Sequence, residues 1–395
     1  MAITPKEIFY RHLAQTSPMP PALEIDRAEG IYLFDKSGKR YIDLIAGIAV
    51  SSTGHRHKEV MKAINKQLQR HLHVMVYGEF VLDQQVNLAK AICNELPETL
   101  NTVYFVNSGS EAVEGAIKLA RRFTQRPIIA AFRNGYHGST CGALSVMGNE
   151  TLKQRFRPLI PGTLLLDFND IQQLQLITDC TAAVILEPIQ GEAGVVAAFP
   201  EFMTALRQRC NETGTLLVMD EIQTGIGRTG TMFAFEQYNI VPDILLLAKA
   251  LGGGMPLGAF VASKTIMETL SYNPPLGHIT TFGGHPVSCA AALANLKVVV
   301  TEKLFLKAND IAKIFTDTLS GIQQVLEIRN RGLMMAIQLE SVQKVNDTIR
   351  KCYDAGLITD SFLFRPDALR VAPPLTIKPN EATIAANILR ETIAS

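Results

Sequence analysis

Short apolar runs recur along the chain, and each is followed by a polar turn and then by a segment with helical periodicity. The runs do not alternate with polar residues, which is typical of strands that are buried on both faces. They are Thr102–Val106, Pro127–Phe132, Ala182–Leu186, Thr215–Met219 and Ile244–Leu247. Periodic segments such as Glu111–Phe123 and Pro200–Glu212 lie between them. The pattern predicts an α/β fold with a mainly parallel sheet covered by helices over residues 55–290.

The two ends of the chain have a different pattern. The N-terminal segment, residues 1–54, contains IYLFDKSGKRYIDL, which predicts a small hairpin that turns at Lys36-Ser37-Gly38. Residues 291–395 begin with a long helical stretch and then mix short strands and helices. We therefore expect a second, smaller α+β domain that is made from both termini and lies beside the large domain 55–290.

Charge and cysteine usage narrow the class of protein. The chain has 395 residues, with 38 Lys and Arg against 37 Asp and Glu, so its formal net charge is +1. This balance excludes a broad basic surface that would hold nucleic acid or an anionic membrane. No apolar stretch approaches the roughly 18 residues of a membrane span, and no secretory signal is recognisable. Because the six cysteines are scattered, we expect a cytoplasmic protein without disulfides or a zinc site.

Polar residues follow the five apolar runs at the points where the predicted strands end. Ligands of open parallel sheets bind beyond the carboxyl ends of the strands, so these residues are expected at one edge of the sheet. Together they supply two acids, a lysine, an aromatic group and a Gly/Ser turn. They are Asn107-Ser108-Gly109-Ser110, Asn134-Gly135-Tyr136-His137-Gly138, Glu187-Pro188, Asp220-Glu221 and Lys249. The combination predicts a functional site at this edge.

Single motifs in this set have two interpretations. Ser108 and Glu111 have the spacing of a capping box, typical of an ordinary helix start. The N–H groups of Gly109 and Ser110 and the helix dipole would equally form a cradle for a phosphate. Lys249 follows four apolar residues, where burial favours a neutral amine able to form a Schiff base. A lysine at a strand end also commonly extends its head group to solvent, so each motif alone leaves both interpretations open.

The motifs taken together indicate one cofactor chemistry. Asp220 ends the run TLLVMD, and a buried carboxylate at this position needs a partner such as a protonated ring nitrogen. A phosphate cradle, a Schiff-base lysine, a carboxylate for a ring nitrogen and an aromatic lid are the requirements of pyridoxal-phosphate catalysis.

A longer series of motifs extends over nearly the whole chain. In order they are EGIYLFDKSGKRYIDLIAGIAV, TGHRHKEV, NSGSEA, YHGST, EPIQGEAGVV, MDEIQTGIGRTG, LAKALGGG, TTFGGHPVSCAAA and LRVAPPL. In this order and spacing the chain resembles the class III (omega-amino-acid) aminotransferases, which are fold-type-I pyridoxal-phosphate enzymes. Within that family it is most similar to the acetylornithine and ornithine aminotransferase group.

The resemblance implies how the chain binds the ring of pyridoxal 5'-phosphate. Lys249 would form the Schiff base with the cofactor aldehyde, and Asp220 would pair with the pyridine nitrogen. Gln223 would reach the phenolic oxygen of the ring, and Tyr136 would stack on its face.

The resemblance also implies a phosphate site that is shared between two subunits. Gly109 and Ser110 would bind the phosphate, and Thr281 of the partner subunit would complete the site. The expected assembly is therefore a homodimer with shared active sites. Thr280, beside Thr281, is expected on the substrate side.

Substrate recognition is implied at four further positions. Arg370 matches the arginine that takes a substrate carboxylate, and Glu192 matches the acid that pairs with it and swings aside for the second substrate. Ile48 resembles the acetylornithine pattern GIAV and stands where ornithine-specific members carry an aromatic hydroxyl. Ser139 stands where both groups usually carry an arginine, so a bidentate carboxylate clamp is lost. Arg133 is a candidate to replace that clamp.

Other functions are less favoured by the sequence. GIGRTG (225–230) fits the dinucleotide pattern G-x-G-x-x-G, but the next strand ends in Lys249 and not in an acid for the ribose, against a nicotinamide dehydrogenase. The pairs His55/His57 and His71/His73 lack a third ligand at metal spacing, so we expect no metal.

The predicted function is transfer of an amino group from an omega-amino acid to 2-oxoglutarate by a ping-pong mechanism. N-acetylornithine is the first choice of donor, and ornithine, 4-aminobutyrate or another omega-amino acid is the alternative. An aminomutase of the same fold and a non-catalytic relative are further alternatives. The presence of both Lys249 and Asp220 argues against the latter, because each is costly to bury without a cofactor.

Overall fold

The computed structural model describes residues 3–395. The strands are β1 (Ile25–Glu29), β2 (Tyr32–Asp35), β3 (Arg40–Asp43), β4 (Thr102–Val106), β5 (Ile128–Phe132), β6 (Thr163–Leu166), β7 (Thr181–Leu186), β8 (Ile189–Gln190), β9 (Val196–Ala197), β10 (Leu216–Asp220), β11 (Ile244–Leu247), β12 (Gly258–Ala262), β13 (Val325–Arg331), β14 (Met334–Leu339), β15 (Leu357–Ile358) and β16 (Ala368–Val371). The α-helices are α1 (Pro5–His12), α2 (Ala46–Ala49), α3 (Lys58–Leu68), α4 (Asp83–Asn94), α5 (Gly109–Thr124), α6 (Cys141–Val146), α7 (Glu150–Lys153), α8 (Pro200–Thr213), α9 (Lys264–Glu268), α10 (Pro286–Thr301), α11 (Leu304–Leu319), α12 (Val342–Asp354) and α13 (Pro379–Ala394). Short 3-10 helices cover Gln154–Phe156, Gln172–Leu176, Ala234–Tyr238, Lys249–Gly252 and Thr269–Ser271.

A seven-stranded sheet with the order β4-β12-β11-β10-β7-β5-β6 forms the centre of the molecule. Strands β11, β10, β7, β5 and β6 run parallel, whereas β12 is antiparallel to both of its neighbours. The predicted mainly parallel sheet is confirmed, and all five apolar runs are strands. Sequence patterns did not predict β6 and β12. Strand β12 returns antiparallel because residues 248–257, between β11 and β12, form a turn rather than a crossover helix.

Burial of both sheet faces explains why the strands lack a polar alternation. Every residue of β7, β10, β11 and β12 is buried. Successive side chains of a strand point to opposite faces. In β10, Leu217 and Met219 pack into one hydrophobic cluster, while Leu216 and Val218 pack into the cluster on the other face. Each face is therefore covered by apolar side chains.

Helix α5 connects the sheet edge to the predicted phosphate turn. It begins after Ser108, whose hydroxyl accepts a hydrogen bond from the Glu111 N–H at 3.2 Å. A Cβ at Gly115 would lie 2.3 Å from the Phe260 ring, so only glycine lets the helix approach β12 this closely. The helix ends at Gln125 in a left-handed cap (φ +58°). Its N-terminus is thus held at the carboxyl edge of β4.

The termini form two smaller sheets. The predicted hairpin is present as β2 and β3, which pair antiparallel, and the C-terminal strand β15 pairs parallel with β3 through Leu357 and Ile42. Strands β13, β14 and β16 form a separate antiparallel sheet. The domain boundaries at 54/55 and 290/291 stay a prediction. Among residues 3–395 no helix combines the length and the apolar character that crossing a membrane requires.

Candidate active site

A cavity of about 370 Å³ opens at the carboxyl edge of the central sheet. Six residues that the sequence assigned to the cofactor line it: Gly109, Ser110, Tyr136, Asp220, Gln223 and Lys249. A larger cleft of about 600 Å³ lies among α3, α4 and α10, and none of the predicted site residues lines it. The chemistry is therefore concentrated in the smaller cavity.

Lys249 occupies a strained position directly after β11. Its φ of +45° lies in the left-handed region, which a non-glycine residue adopts at a cost and often at a functional site. Burial lowers the pKa of its ammonium group, and the charges of Glu192, Asp220 and Glu187 only partly oppose that effect. The structure therefore favours a neutral, nucleophilic amine at this position.

Asp220 is fixed by two donors at the end of β10. Its Oδ1 accepts a hydrogen bond from the Ile222 N–H at 3.0 Å, and its Oδ2 lies 2.7 Å from Nδ1 of His137. Burial alone would lower the pKa of His137, but the hydrogen bond with Asp220 and the charges of Asp220 and Glu187 raise it. His137 thus gives the Asp220 carboxylate a buried hydrogen-bond donor. Sequence reasoning gave His137 no role, although it stands next to Tyr136 in the quoted YHGST motif.

The turn before α5 has the features of an anion cradle. The first N–H groups of a helix have no intrahelical acceptor, and the helix dipole is positive at this end. A Cβ at Gly138 (φ +123°) would lie 2.1 Å from Ser110 Oγ, so a side chain there would displace Ser110. Ser110 Oγ also accepts a hydrogen bond from the Ser139 N–H at 3.3 Å. Gly138 thus keeps the cradle open.

Glu187 joins the two loops that flank the cavity. Its Oε1 accepts from the Tyr136 N–H at 2.8 Å, and its Oε2 accepts from the Gly191 N–H at 2.9 Å. Burial raises the pKa of Glu187 to about 7. The carboxylate therefore connects the loop that carries Tyr136 to the loop that carries Glu192.

The buried residues Arg370 and Glu192 and the half-buried Asp360 form a group that we call the arginine cluster. Arg370 Nη1 and Nη2 donate to the two oxygens of Glu192 at 3.1 and 2.9 Å, and Nε donates to Asp360 Oδ1 at 2.9 Å. Burial alone would raise the pKa of Glu192, but the neighbouring Arg370 lowers it below its ordinary value. Gln223 Nε2 donates to Glu192 Oε1 at 3.3 Å, which links this cluster to the cavity wall. Sequence reasoning missed Asp360, which follows no predicted strand end.

Ile48 and Ser139, which the sequence placed on the substrate side, do not line the cavity. Ile48 is 39% exposed and has a φ of +62°, which is rare for a β-branched residue. Ser139 Oγ lies 3.5 Å from the hydroxyl of Tyr136. Arg133 lines a neighbouring cleft, where its Nε pairs with Asp167 at 2.9 Å. Within the chain that the structure describes, it therefore does not replace the missing clamp.

Thr280 and Thr281 lie beside the site. Thr280 Oγ1 accepts hydrogen bonds from Asn107 Nδ2 at 3.2 Å and from the Gly283 N–H at 3.1 Å, so it braces a residue of the cavity wall. Thr281 is exposed and does not line the cavity of its own chain. His55, one of the histidines considered for metal, instead pairs with Asp43 at 2.8 Å.

The residues present fit pyridoxal phosphate. A lysine amine whose pKa is lowered, a buried carboxylate with its own fixed partners, an aromatic side chain and a helix N-terminus face one cavity. These are the groups that the aldehyde, ring nitrogen, ring face and phosphate of this cofactor require.

Comparison with known proteins points to the same chemistry. The sequence profile of the family described as aminotransferase class-III matches residues 13–393. An acetylornithine aminotransferase of Methanopyrus kandleri is 41% identical over 357 residues, which cover 89% of this chain and 90% of that protein. The crystal structure of an ornithine aminotransferase from Toxoplasma gondii ME49 has a TM-score of 0.90 at 30% identity, covering 98% of this chain and 93% of the other.

A second ornithine aminotransferase structure from Toxoplasma gondii, described as revealing partial occupancy of pyridoxal phosphate at the active site, has a TM-score of 0.90 at 29% identity and covers 99% of this chain and 95% of the other. The α/β architecture and the cavity at the sheet edge agree with these matches. The chain therefore belongs to the class III aminotransferases, the fold-type-I transaminases that depend on pyridoxal phosphate.

Proposed function

We propose that the protein transfers the amino group of an omega-amino acid, with N-acetylornithine first, to 2-oxoglutarate in two half-reactions. The presence of Lys249, whose pKa is lowered, and of the buried Asp220 in one cavity is the observation that carries the transaminase chemistry. The donor is supported by the 41% identical acetylornithine aminotransferase and by Ile48, which offers no hydroxyl to a free amine.

The cofactor residues have distinct roles in this proposal. Pyridoxal phosphate, when bound, supplies an aldehyde that condenses with amines and a ring that accepts electrons from the carbon that loses its proton. Lys249 Nζ would hold the aldehyde and would carry the proton, and burial, which lowers its pKa, favours the unprotonated amine that both roles need. Asp220 would pair with the ring nitrogen. Tyr136 would cover the ring, and Gln223 would donate to its phenolic oxygen.

Gly109 and Ser110 hold the phosphate through their N–H groups in this proposal. The negative charge of the phosphate is favoured at the positive end of the helix dipole. A Cβ at position 138 would collide with Ser110, so glycine at this position leaves the space beside Ser110 open. Gly109 and Ser110 would thus anchor the phosphate end of the cofactor.

The arginine cluster serves the two substrates in turn. While Glu192 covers Arg370, an uncharged or amine-bearing group meets a neutralised surface. When Glu192 moves away, the fork of Arg370 takes the carboxylate of the 2-oxo acid in a bidentate contact. This exchange lets one cavity accept two different substrates.

We further propose a homodimer with shared sites. Apolar side chains are exposed on segments 71–82 and 272–282, including Val81 at 88%, Tyr272 at 65% and Phe282 at 53%. The rings of Phe282 and His73 lie 4.8 Å apart, so the two segments form one surface. An apolar surface of this kind is typical of a protein interface. Thr281 lies on this surface, in a position to reach a second subunit.

Mixing two inactive variants tests the shared site. A dimer that combines a Lys249→Ala subunit with a Thr281→Arg subunit contains one intact site, because the intact lysine and the intact threonine come from different chains. Random mixing makes half of the dimers mixed, so about a quarter of wild-type activity is expected. Different affinity tags on the two variants, with purification on one tag and detection of the other, would establish that mixed dimers form. No recovery in mixed dimers would place each site within one chain.

Ornithine is the second candidate donor, because the two solved structures reported above are ornithine aminotransferases. Ser139 stands where the usual arginine would be. Binding of any donor or acceptor that needs a second carboxylate clamp is therefore expected to be weaker. Both candidates can be ranked by one set of measurements.

The test is a panel of half-reactions, each monitored through the absorbance of the bound cofactor. N-acetylornithine, ornithine and 4-aminobutyrate are offered in turn without an acceptor, and 2-oxoglutarate or pyruvate is then added. The proposal expects N-acetylornithine to give the highest specificity constant and 2-oxoglutarate to restore the original spectrum. A faster reaction with ornithine would overturn the donor. Isomerisation of one substrate without an acceptor would indicate an aminomutase.

A further inference from the structure

Arg370 is held by two acids on two different edges of its guanidinium group. Glu192 takes the outer edge through Nη1 and Nη2, whereas Asp360 takes Nε at 2.9 Å. The side chain of Arg370 is 5% exposed, and so is that of Glu192. One buried cation therefore has two carboxylate partners that do not compete for the same hydrogen atoms.

Asp360 is tied to Arg370 through the backbone as well. The Arg370 N–H donates to the Asp360 carbonyl at 2.8 Å, and Thr359 Oγ1 donates to the Arg370 carbonyl at 2.7 Å. The guanidinium carbon lies 4.4 Å from the centre of the Phe362 ring, and Nη2 donates to the Ser361 carbonyl at 3.4 Å. Residues 359–362 thus lie around the arginine, and a backbone hydrogen bond holds Asp360 beside it.

Glu192 connects Arg370 to the cavity. It lies on the loop between β8 and β9, and its carboxylate accepts from the Leu363 N–H at 3.1 Å and from Gln223 Nε2 at 3.3 Å. Both acids hold Arg370 through side-chain oxygens, but only Glu192 also contacts Gln223, a residue that lines the cavity. Of the two acids, Glu192 is therefore the one whose place a substrate carboxylate can take.

We propose that Asp360 is a positioning residue, which keeps the guanidinium group of Arg370 in one orientation while Glu192 and the carboxylate of the 2-oxo acid alternate on its outer edge. This inference rests on the proposed function, because it assigns a part of the second half-reaction. The fixed acid also ensures that Arg370 is never a buried cation without a partner during the exchange, which would be costly.

The structure predicts that loss of Asp360 affects one substrate only. In the donor half-reaction Glu192 covers Arg370, so orientation by Asp360 matters little. In the acceptor half-reaction the outer edge must meet a carboxylate in a bidentate geometry, which depends strongly on orientation. A positioning role therefore separates the two half-reactions, whereas a purely structural role would affect both.

The experiment compares Asp360→Ala, Asp360→Asn and a matched control in the holoenzyme. The asparagine keeps an oxygen that accepts from Nε, whereas the alanine does not. Asp367→Asn is the control, because Asp367 lies on the same segment and contacts Gln338 and Arg365 but not Arg370. Rates of each half-reaction are measured against the concentration of the donor and of 2-oxoglutarate separately.

We expect Asp360→Ala to weaken apparent binding of 2-oxoglutarate about 10-fold and to change the donor half-reaction less than about 2-fold. Asp360→Asn should restore most of the binding, and Asp367→Asn should resemble the wild type. An equal loss in both half-reactions, no loss, or an asparagine variant as weak as the alanine variant would each overturn the inference. A wild type that transfers no amino group to any 2-oxo acid would instead refute the proposed function, and this inference with it.

Discussion

The cavity at the edge of the central sheet, which we call the cofactor pocket, and the arginine cluster both contain buried charged side chains. These side chains come from different parts of the chain in the two sites. In the pocket, Asp220 and Lys249 stand at the ends of β10 and β11, which are neighbours in one parallel sheet. In the arginine cluster, Glu192 comes from the loop after β8, while Asp360 and Arg370 come from the C-terminal sheet region. The first arrangement follows from strand order, whereas the second depends on how two distant segments meet.

The two sites also differ in how their residues are held in place. The pocket is fixed by the sheet, whose strands are buried on both faces and held by backbone hydrogen bonds. In the arginine cluster both acids hold Arg370 through side-chain hydrogen bonds, and Glu192 is the one that also contacts the cavity wall at Gln223. A rigid pocket suits a cofactor that stays, and an exchangeable contact suits substrates that alternate.

Removal of the Asp220 carboxylate from the cofactor pocket is expected to have the largest effect on the rate. Asp220→Ala should lower the rate of the donor half-reaction by about 10³-fold, because a preorganised charge next to the reacting system is lost. Cofactor should still bind through Lys249. Single-turnover absorbance measures the effect, with the exposed Asp179→Ala as control. An unchanged rate would contradict the role of this carboxylate.

Arg370→Lys tests the cluster side. Lysine keeps the positive charge between Glu192 and Asp360 but loses the planar fork. We expect KM for 2-oxoglutarate to rise by about 10²-fold, since truncating a partner in a buried charge pair is costly, while the donor half-reaction changes little. Steady-state kinetics with each substrate varied separately would show this. Equal losses for both substrates would remove the distinction between the two sites.

His137 tests whether the cofactor pocket and the arginine cluster act independently, because it contacts Asp220 and not the arginine cluster. Its Nδ1 contact with Asp220 is a hydrogen bond to a charged group, which is worth about 1.5–3 kcal/mol. His137→Phe should therefore slow the donor half-reaction by about 10-fold and leave KM for 2-oxoglutarate unchanged. A rise in that KM would show that the two regions are coupled.

The smallest expected effect concerns the free energy of unfolding. Burial raises the pKa of Glu221 to about 7 from an ordinary value near 4.5. Between these values the folded protein holds a proton that the unfolded chain has lost, so this group makes the protein less stable as pH rises.

Glu221→Gln removes that titration. The free energy of unfolding of the wild type, relative to the variant, should fall by about 2–3 kcal/mol between pH 5 and pH 8. Denaturant unfolding of both proteins across this range measures the difference. A constant difference would mean that Glu221 does not titrate in this window.

The sequence predicted which residues meet at the carboxyl edge of the central sheet, because they follow strand ends. Apolar runs without alternation are typical of strands in a covered sheet, and the residues after such strands are expected at one edge. Gly109, Asp220 and Lys249 follow from this pattern without the family resemblance. The resemblance then supplied Gln223 and the arginine pair.

Other features could not be predicted for physical reasons. Strand β12 reverses direction because of its turn, and a short apolar run carries no information on direction. His137 lies in a quoted motif, but its burial against Asp220 depends on tertiary packing. Asp360 follows β15, a strand of two residues that no apolar run in the sequence predicts, and its contact with Arg370 depends on tertiary packing.

The most direct test of the account is chemical identification of the cofactor-bearing lysine. The holoenzyme is reduced with borohydride, digested and mapped by mass spectrometry, with Lys249→Ala treated in parallel. The account predicts the reduced cofactor on Lys249 in the wild type and no labelled peptide in the variant. A label on another lysine, or a variant that is labelled as fully as the wild type, would contradict it.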